Sequence, residues 1–179
     1  MILRKQFIIW LLLMVFFLPG LAIASPREDA IKSGFLYNFA RYSQGEWFTP
    51  GTHSSYNICS FDEQFIEAAN HTLKKMTIEN LPVVVNLLTS EYESIIDCDT
   101  LFLSKADIAK WQYLSASEQL FEVMLVGEFD DFLDSGGHIN FFIVGGKIRF
   151  EVNPVKLKAS GINMSSKVLR LGRVHKGEL

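Results

Sequence analysis

The chain has 179 residues, 49% of them hydrophobic, and a formal charge of −3. That is enough for one domain with its own core, and too acidic for nucleic acid to be the main partner. The charge is unevenly placed, with a net −11 over residues 25–146 and a net +6 over residues 147–179. Such polarity either orients a protein on a charged partner or belongs to two solvated faces that fold back beside each other.

Arg4 and Lys5 precede an unbroken apolar run from Phe7 to Leu18, which Pro19 and Gly20 end. Ala22-Ile23-Ala24 then has the small-x-small pattern a signal peptidase reads. A membrane-spanning helix wants about 20 apolar residues, more than this run offers. Residues 1–24 are therefore expected to be a signal peptide cleaved after Ala24. The mature chain is expected to be a single domain over residues 25–179, exported from the cytoplasm.

Ser25-Pro26-Arg27-Glu28 reads as a capped helix start, and Ile31, Phe35, Phe39 and Tyr42 follow on one apolar face. Lys32, Asn38 and Arg41 fall nearer the polar side of that helix. Tyr56 to Ser60 is a short strand, and Phe61 to Lys75 a helix with Phe65, Ala69 and Leu73 on one side. Val83 to Leu88 is β-rich without clean alternation, the pattern of a strand buried on both faces. Thr100 to Leu103 is another strand. Ser104 or Asp107 caps a helix running toward Leu114, and Phe121 to Val126 is a further strand. Ile139–Val144 and Lys147–Val152 flank Gly145-Gly146, a hairpin signal. Pro154 to Ala159 is a short helix stopped by Gly161, and Ser165 to Leu171 a last turn or helix. This order predicts an α/β fold: a single-domain layered sandwich with a largely parallel, mixed sheet and a C-terminal β-hairpin.

Cys59 and Cys98 are the only cysteines, and an even pair in an exported protein usually bridges. Closing that loop is worth roughly 4 kcal/mol in the loop-entropy model. Two buried thiols remain the alternative, because Cys59 lies late in its strand and Cys98 just before another. In parallel neighbours at that register the thiols stand too far apart. His53, His71, His138 and His175 have no metal-ligand spacing. No nucleophile elbow or phosphate loop is present. Glu128, Asp130, Asp131 and Asp134 lack the spacing of a calcium loop and read as a solvated turn. No catalytic residue, metal or cofactor is expected, and the chain reads as a non-enzyme.

Four segments in order resemble the YfiR-like family of bacterial periplasmic proteins. They are Ile31 to Tyr42, Cys98 to Ser104, the hairpin made of Gly136 to Phe141 with Lys147 to Asn153, and Gly161 to Leu171. The resemblance covers about Asp29 to Val174. It implies an exported α/β regulator without a chemical step. Its expected partner in the periplasm is the periplasmic portion of an inner-membrane signalling protein, either a diguanylate cyclase, whose inhibition lowers cyclic di-GMP and biofilm formation, or another sensor such as a histidine kinase. It also strengthens the expectation of the Cys59–Cys98 bridge. A second cysteine pair near the hairpin, carried by some members, is missing here, so redox control through it does not carry over. The stretch after Cys59 is short and lacks the glycine turn common in relatives.

Within those motifs, Phe35, Phe39, Ile148, Phe150 and Leu169 read as core. The candidate interaction residues are Tyr37, Asn38, Arg41, Arg149, Glu151, Lys167, Arg170 and Arg173. Of these, Arg149 and Glu151 share a strand face. Lys167, Arg170 and Arg173, three apart, would share a broad basic face on a helix. A homodimer and an unidentified small ligand stay open. The alternative function is a periplasmic small-molecule sensor with a pocket at the strand carboxyl ends.

Overall fold

A computed structural model of the chain describes residues 26–89, 95–117 and 120–176. The expected signal peptide, its cleavage site and the Ser25 cap lie outside the described residues. No helix among those described is long and apolar enough to cross a membrane.

The chain opens with α1 (Pro26–Arg41) and β1 (Ser43–Gln44), then β2 (Tyr56–Ser60), α2 (Glu63–Thr72), β3 (Thr77–Ile78) and β4 (Leu81–Leu87). β5 (Thr100–Leu103), α3 (Ile108–Leu114) and β6 (Met124–Gly127) follow. The hairpin is β7 (Ile139–Val144) and β8 (Lys147–Val152), with Gly145 and Gly146 at φ 57° and 70° in its turn. α4 (Pro154–Ala159), β9 (Asn163–Met164), α5 (Ser166–Leu169) and β10 (Arg173–Val174) end the fold.

Eight strands form one sheet in the order β10-β8-β7-β6-β5-β2-β4-β3. Pairing is parallel except at β7–β8 and β4–β3, so the expected mixed, largely parallel sandwich is the one observed. One core unites Leu36 and Phe39 of α1 and Phe65 and Ala69 of α2 with Tyr56, Ile58, Phe102, Met124, Phe141 and Phe150 of the sheet. On the opposite face, Trp111 and Leu114 of α3 pack with Leu101, Leu103, Leu125 and Phe132. The Phe132 ring lies flat on the backbone of Gly127 and Gly137, where a Cβ at Gly127 would stand 2.7 Å from it. Side chains larger than hydrogen have no room there.

α2 starts later than expected because Asp62, whose carboxylate accepts the Phe65 amide at 3.1 Å, caps it. β6 begins at Met124 rather than Phe121, which is 67% exposed. β3 was not foreseen; Glu79 and Asn80, both at positive φ, make its tight turn into β4. β4 also departs from the expectation of burial on both faces. It lies next to the sheet's end, with Val84 and Leu87 exposed. No helix of the second layer covers it, so its apolar run reports an edge and not an interior strand.

The Cys59–Cys98 bridge forms, with Cα atoms 5.8 Å apart. β2 and β5 are indeed parallel neighbours, with Cys59 opposite Leu101. The distance problem disappears because Cys98 is not in an extended strand. It follows a 3-10 turn, Ile95–Asp97, and donates its amide back to Ile95 at 3.0 Å, which folds it toward Cys59. Asp99 fixes the entry to β5 by accepting the Asn57 amide at 2.7 Å.

His138, 2% exposed, ties β6, β7 and α4 together. The Leu125 amide donates to its Nδ1 at 3.0 Å, which places the ring proton on Nε2, 3.1 Å from Ser160 Oγ. Burial, with Lys156 assisting, lowers its pKa to about 4. The folded value is below the unfolded one, so its contribution is full above pH 6.5 and is lost as pH falls toward 4. Urea melts should lose about 3 kcal/mol from this source across that window. His138→Gln should flatten that part of the profile. Asp29 and Asp99, whose pKa values burial raises, act in the opposite sense, so the difference between the two proteins isolates the histidine. Replacing Cys59 or Cys98 by serine should cost about 2–5 kcal/mol in the same melts.

Candidate functional site

α1 presents two unlike faces. The inward one carries Asp29, Lys32, Ser33, Leu36, Phe39 and Ala40, all buried. Lys32, expected on the polar side, is therefore a correction: its side chain is 2% exposed and reaches the carboxyl end of β6. There its ammonium meets Glu128 at 2.5 Å, Glu28 at 2.9 Å and Asp29 at 3.4 Å, and lies 6.0 Å from the Phe102 ring centre. Glu128 also accepts the Lys105 amide at the end of β5, so one carboxylate joins α1 to two strand ends.

Burial alone would lower the Lys32 pKa, but Glu128, Glu28 and Asp29 outweigh it and hold it above the ordinary value. The Asp29 pKa is raised as well, but for the opposite reason: burial disfavours its carboxylate, and Lys32, to which it is the farthest of the three acids, offsets this only in part. The pair does not share its charge evenly. Glu128 is the principal counter-ion.

The outward face of α1 is of a different character. Ile31 and Tyr42, expected in the core stripe, are 44% and 45% exposed. Phe35 and Tyr37 are half-buried against the core, Phe35 on Phe141 and Phe150 with ring centres 5.8 Å and 5.6 Å away. Arg41 stands 5.9 Å from the Tyr37 ring centre and 5.7 Å from that of Tyr42. Tyr37 donates its hydroxyl to the Thr77 carbonyl at 3.2 Å, and Asn38 donates to the Gly34 carbonyl at 2.9 Å. Tyr37, Asn38 and Arg41 are thus brought together on one helix. Tyrosine and arginine held in place this way are the residue types that anchor protein interfaces.

The C-terminal candidates do not gather. Arg173 pairs with Glu151 at 2.6 Å and stacks 4.7 Å from the Phe142 ring centre. Glu151 also faces His175 at 3.4 Å, and His175 reaches Asp134 at 2.9 Å. Arg149 lies opposite Phe142 in the hairpin, exposed, and Glu151 turns to Arg173 instead. α5 spans only Ser166–Leu169, so Lys167 is helical, Arg170 is its C-cap and Arg173 belongs to β10. The expected basic helical face is not formed, because Gly172 and the pairing of β10 with β8 pull Arg173 into the sheet. Lys167 and Arg170 are exposed beside it.

A shallow hollow of about 550 Å³ lies beside the bridge, lined by residues that include His53, Ser55, Asn57, Asn86 and Asp97. Asn57 accepts from Ser55 at 3.0 Å and from Asn86 at 3.5 Å, and His53 stands 3.7 Å from Asp99. Among the described residues no group of three or more His, Cys, Asp or Glu side chains is placed to hold a metal ion.

A family model described as YfiR/HmsC-like matches residues 29–173. The chain belongs to the YfiR/HmsC-like family. No curated protein matches it. The match begins at Asp29, the first buried acid of the Lys32 cluster, and ends at Arg173 of β10, so it takes in nearly the whole described fold.

Two residues of structural weight escaped the sequence. Lys32 sits three and four residues after Asp29 and Glu28, a spacing that signals ion pairing but not burial. His138 carried no signal. In this member of the family, Lys32→Met should cost about 3–5 kcal/mol, because it leaves Glu128 and Asp29 buried without their cation. Denaturant unfolding of the purified protein reads that loss directly.

Proposed function

We propose that this protein is a non-catalytic periplasmic regulator that binds the periplasmic portion of an inner-membrane signalling protein, a diguanylate cyclase, and restrains it. Membership of the YfiR/HmsC-like family supports a periplasmic regulatory role. The observation that carries the contact reading is the outward face of α1. It offers Ile31, Tyr37, Arg41 and Tyr42 on a helix whose opposite face is locked by the Lys32 cluster and the phenylalanine core. A rigid helix with preordered aromatic and guanidinium side chains loses little entropy on binding. Asn38 lies on the same face, while Lys167 and Arg170 form a separate exposed site near the other end of the chain.

A small-ligand reading draws on the polar hollow beside the bridge, whose size suits a small metabolite. A thermal-shift screen of small polar metabolites without any rise in melting temperature would set that reading aside.

The contact reading is tested with the purified protein and the periplasmic domain of a cyclase encoded beside it. Arg41→Glu and Tyr42→Ala, both at exposed positions, should each weaken binding by about tenfold or more with unchanged thermal melts. Arg170→Glu should change it little. A folded wild-type protein that binds no such domain, or α1 variants that bind as tightly as wild type, would overturn the proposal. In cells, deleting the gene should raise cyclic di-GMP.

A further inference from the structure

The glycine hairpin stands out from the sheet. Gly127, the last residue of β6, lies opposite Asn140, and β7 runs on to Val144 paired only with β8. Strand of that length, Phe141 to Val144, reaches about 13 Å. At the tip every residue from Ile143 to Lys147 is exposed, Ile143 by 55% and Val144 by 58%. Val144 lies opposite Lys147 and Phe142 opposite Arg149, so both cations share a face of the ribbon with apolar side chains.

A second strip runs beside the hairpin. Gly172 lies on the Phe150 ring, and Arg173 stands opposite Glu151 in parallel with β8. The chain just before them, Arg170 and Leu171, therefore approaches from the side of the tip. Both residues are exposed, Leu171 by 74%.

Charge at this end has one sign. No acidic residue occurs between Asp134 and Glu151, and Glu151 is taken up by Arg173. Glu128, at the end of β6, is held by Lys32. Phe129, whose carbonyl takes the Asn140 amide, and Phe132, on Gly127, keep Asp130 and Asp131 back at the level where β6 ends. About 13 Å of strand separates that level from the tip, more than the Debye length of about 8 Å at physiological salt, so those charges are largely screened there.

We infer that the hairpin tip and the turn at Arg170 and Leu171 form a docking surface for an anionic phospholipid bilayer. Ile143 and Val144 enter the headgroup region, while Lys147, Arg149 and Arg170 meet lipid phosphates. A ribbon tip and one turn fall far short of the roughly 800 Å² per partner that a stable protein interface needs, whereas a bilayer yields around a point. Long cationic side chains beside apolar ones also suit a boundary, with their stems along the acyl region and their heads at the phosphates. The net −11 over residues 25–146 turns the rest of the molecule away from such a surface and so orients it.

Cosedimentation tests this, using protein purified from the periplasm and vesicles of equal parts phosphatidylglycerol and phosphatidylcholine. No cyclase is present, so its failure leaves the regulatory reading standing. With three cations at the surface, binding should be about 100-fold tighter than to phosphatidylcholine alone, and high salt should erase the difference. Lys147→Glu should weaken binding to the anionic vesicles about 30-fold, and Ile143→Ser about tenfold, with unchanged thermal melts. Lys158→Glu makes the same charge change in α4, beyond the opposite end of β8, and should alter binding little. No binding to the anionic vesicles, binding that survives both tip variants, or an equal loss with Lys158→Glu would each overturn the inference. A tip that meets an acidic protein instead falls under the first of these outcomes.

Discussion

The fold depends on a single buried ammonium. α1 precedes every strand, so no crossover connection fixes it to the sheet as α2 and α3 are fixed by the strands they join. Its attachment is made instead by Lys32 to Glu128 at one end and by Phe35 and Phe39 against Phe141 and Phe150 along its length. The apolar contacts supply free energy without direction. The ion cluster supplies direction, because Glu128, the one carboxylate of the three that lies outside α1, meets the Lys32 Nζ at only one rotation of the helix. That rotation decides which residues of α1 face water, and so which are available to a partner.

The position of the cluster follows from topology. From β2 the chain moves outward to β4 on one side, then crosses to β5 on the other. Polar groups collect beside that switch, as they do in open α/β sheets generally. In such sheets the crevice usually takes a ligand. Here Lys32 and Phe102 already fill the approach beside β5 and β6, and the carboxylates are spent on a side chain of the protein's own.

Much of this was legible from local pattern. β2, β5, the glycine hairpin and α4 stand at or within a residue of their expected bounds, because strand alternation, turn glycines and Pro154 act over a few neighbours. What failed required knowledge of partners far along the chain. Lys32 reads as a solvated cation until Glu128, 96 residues later, comes to meet it. β4 reads as interior because its composition is apolar, yet composition does not say how many neighbours a strand has. Lys167, Arg170 and Arg173 share a helical spacing, but only Lys167 lies within the helix. Of the candidate site, Tyr37, Asn38 and Arg41 were found as a group, since they lie within five residues of one helix. The links from Glu151 to Arg173 and His175 depend on the parallel pairing of β10, a two-residue strand with no sequence signature.

The bridge also orders events along the chain. Cys98 precedes β5, and everything that β5 needs on its far side comes later in the sequence. A polypeptide delivered amino end first therefore presents both sulfurs while β6 to β10 are still to emerge. Once joined, they hold the start of β5 within 5.8 Å of β2. The third strand then finds its slot by a short tether rather than by a search through a 39-residue loop. The half-sheet of β4, β2 and β5 becomes the template on which the carboxyl-terminal half is laid down, β6 and β7 in parallel and β8 as the returning arm of the hairpin.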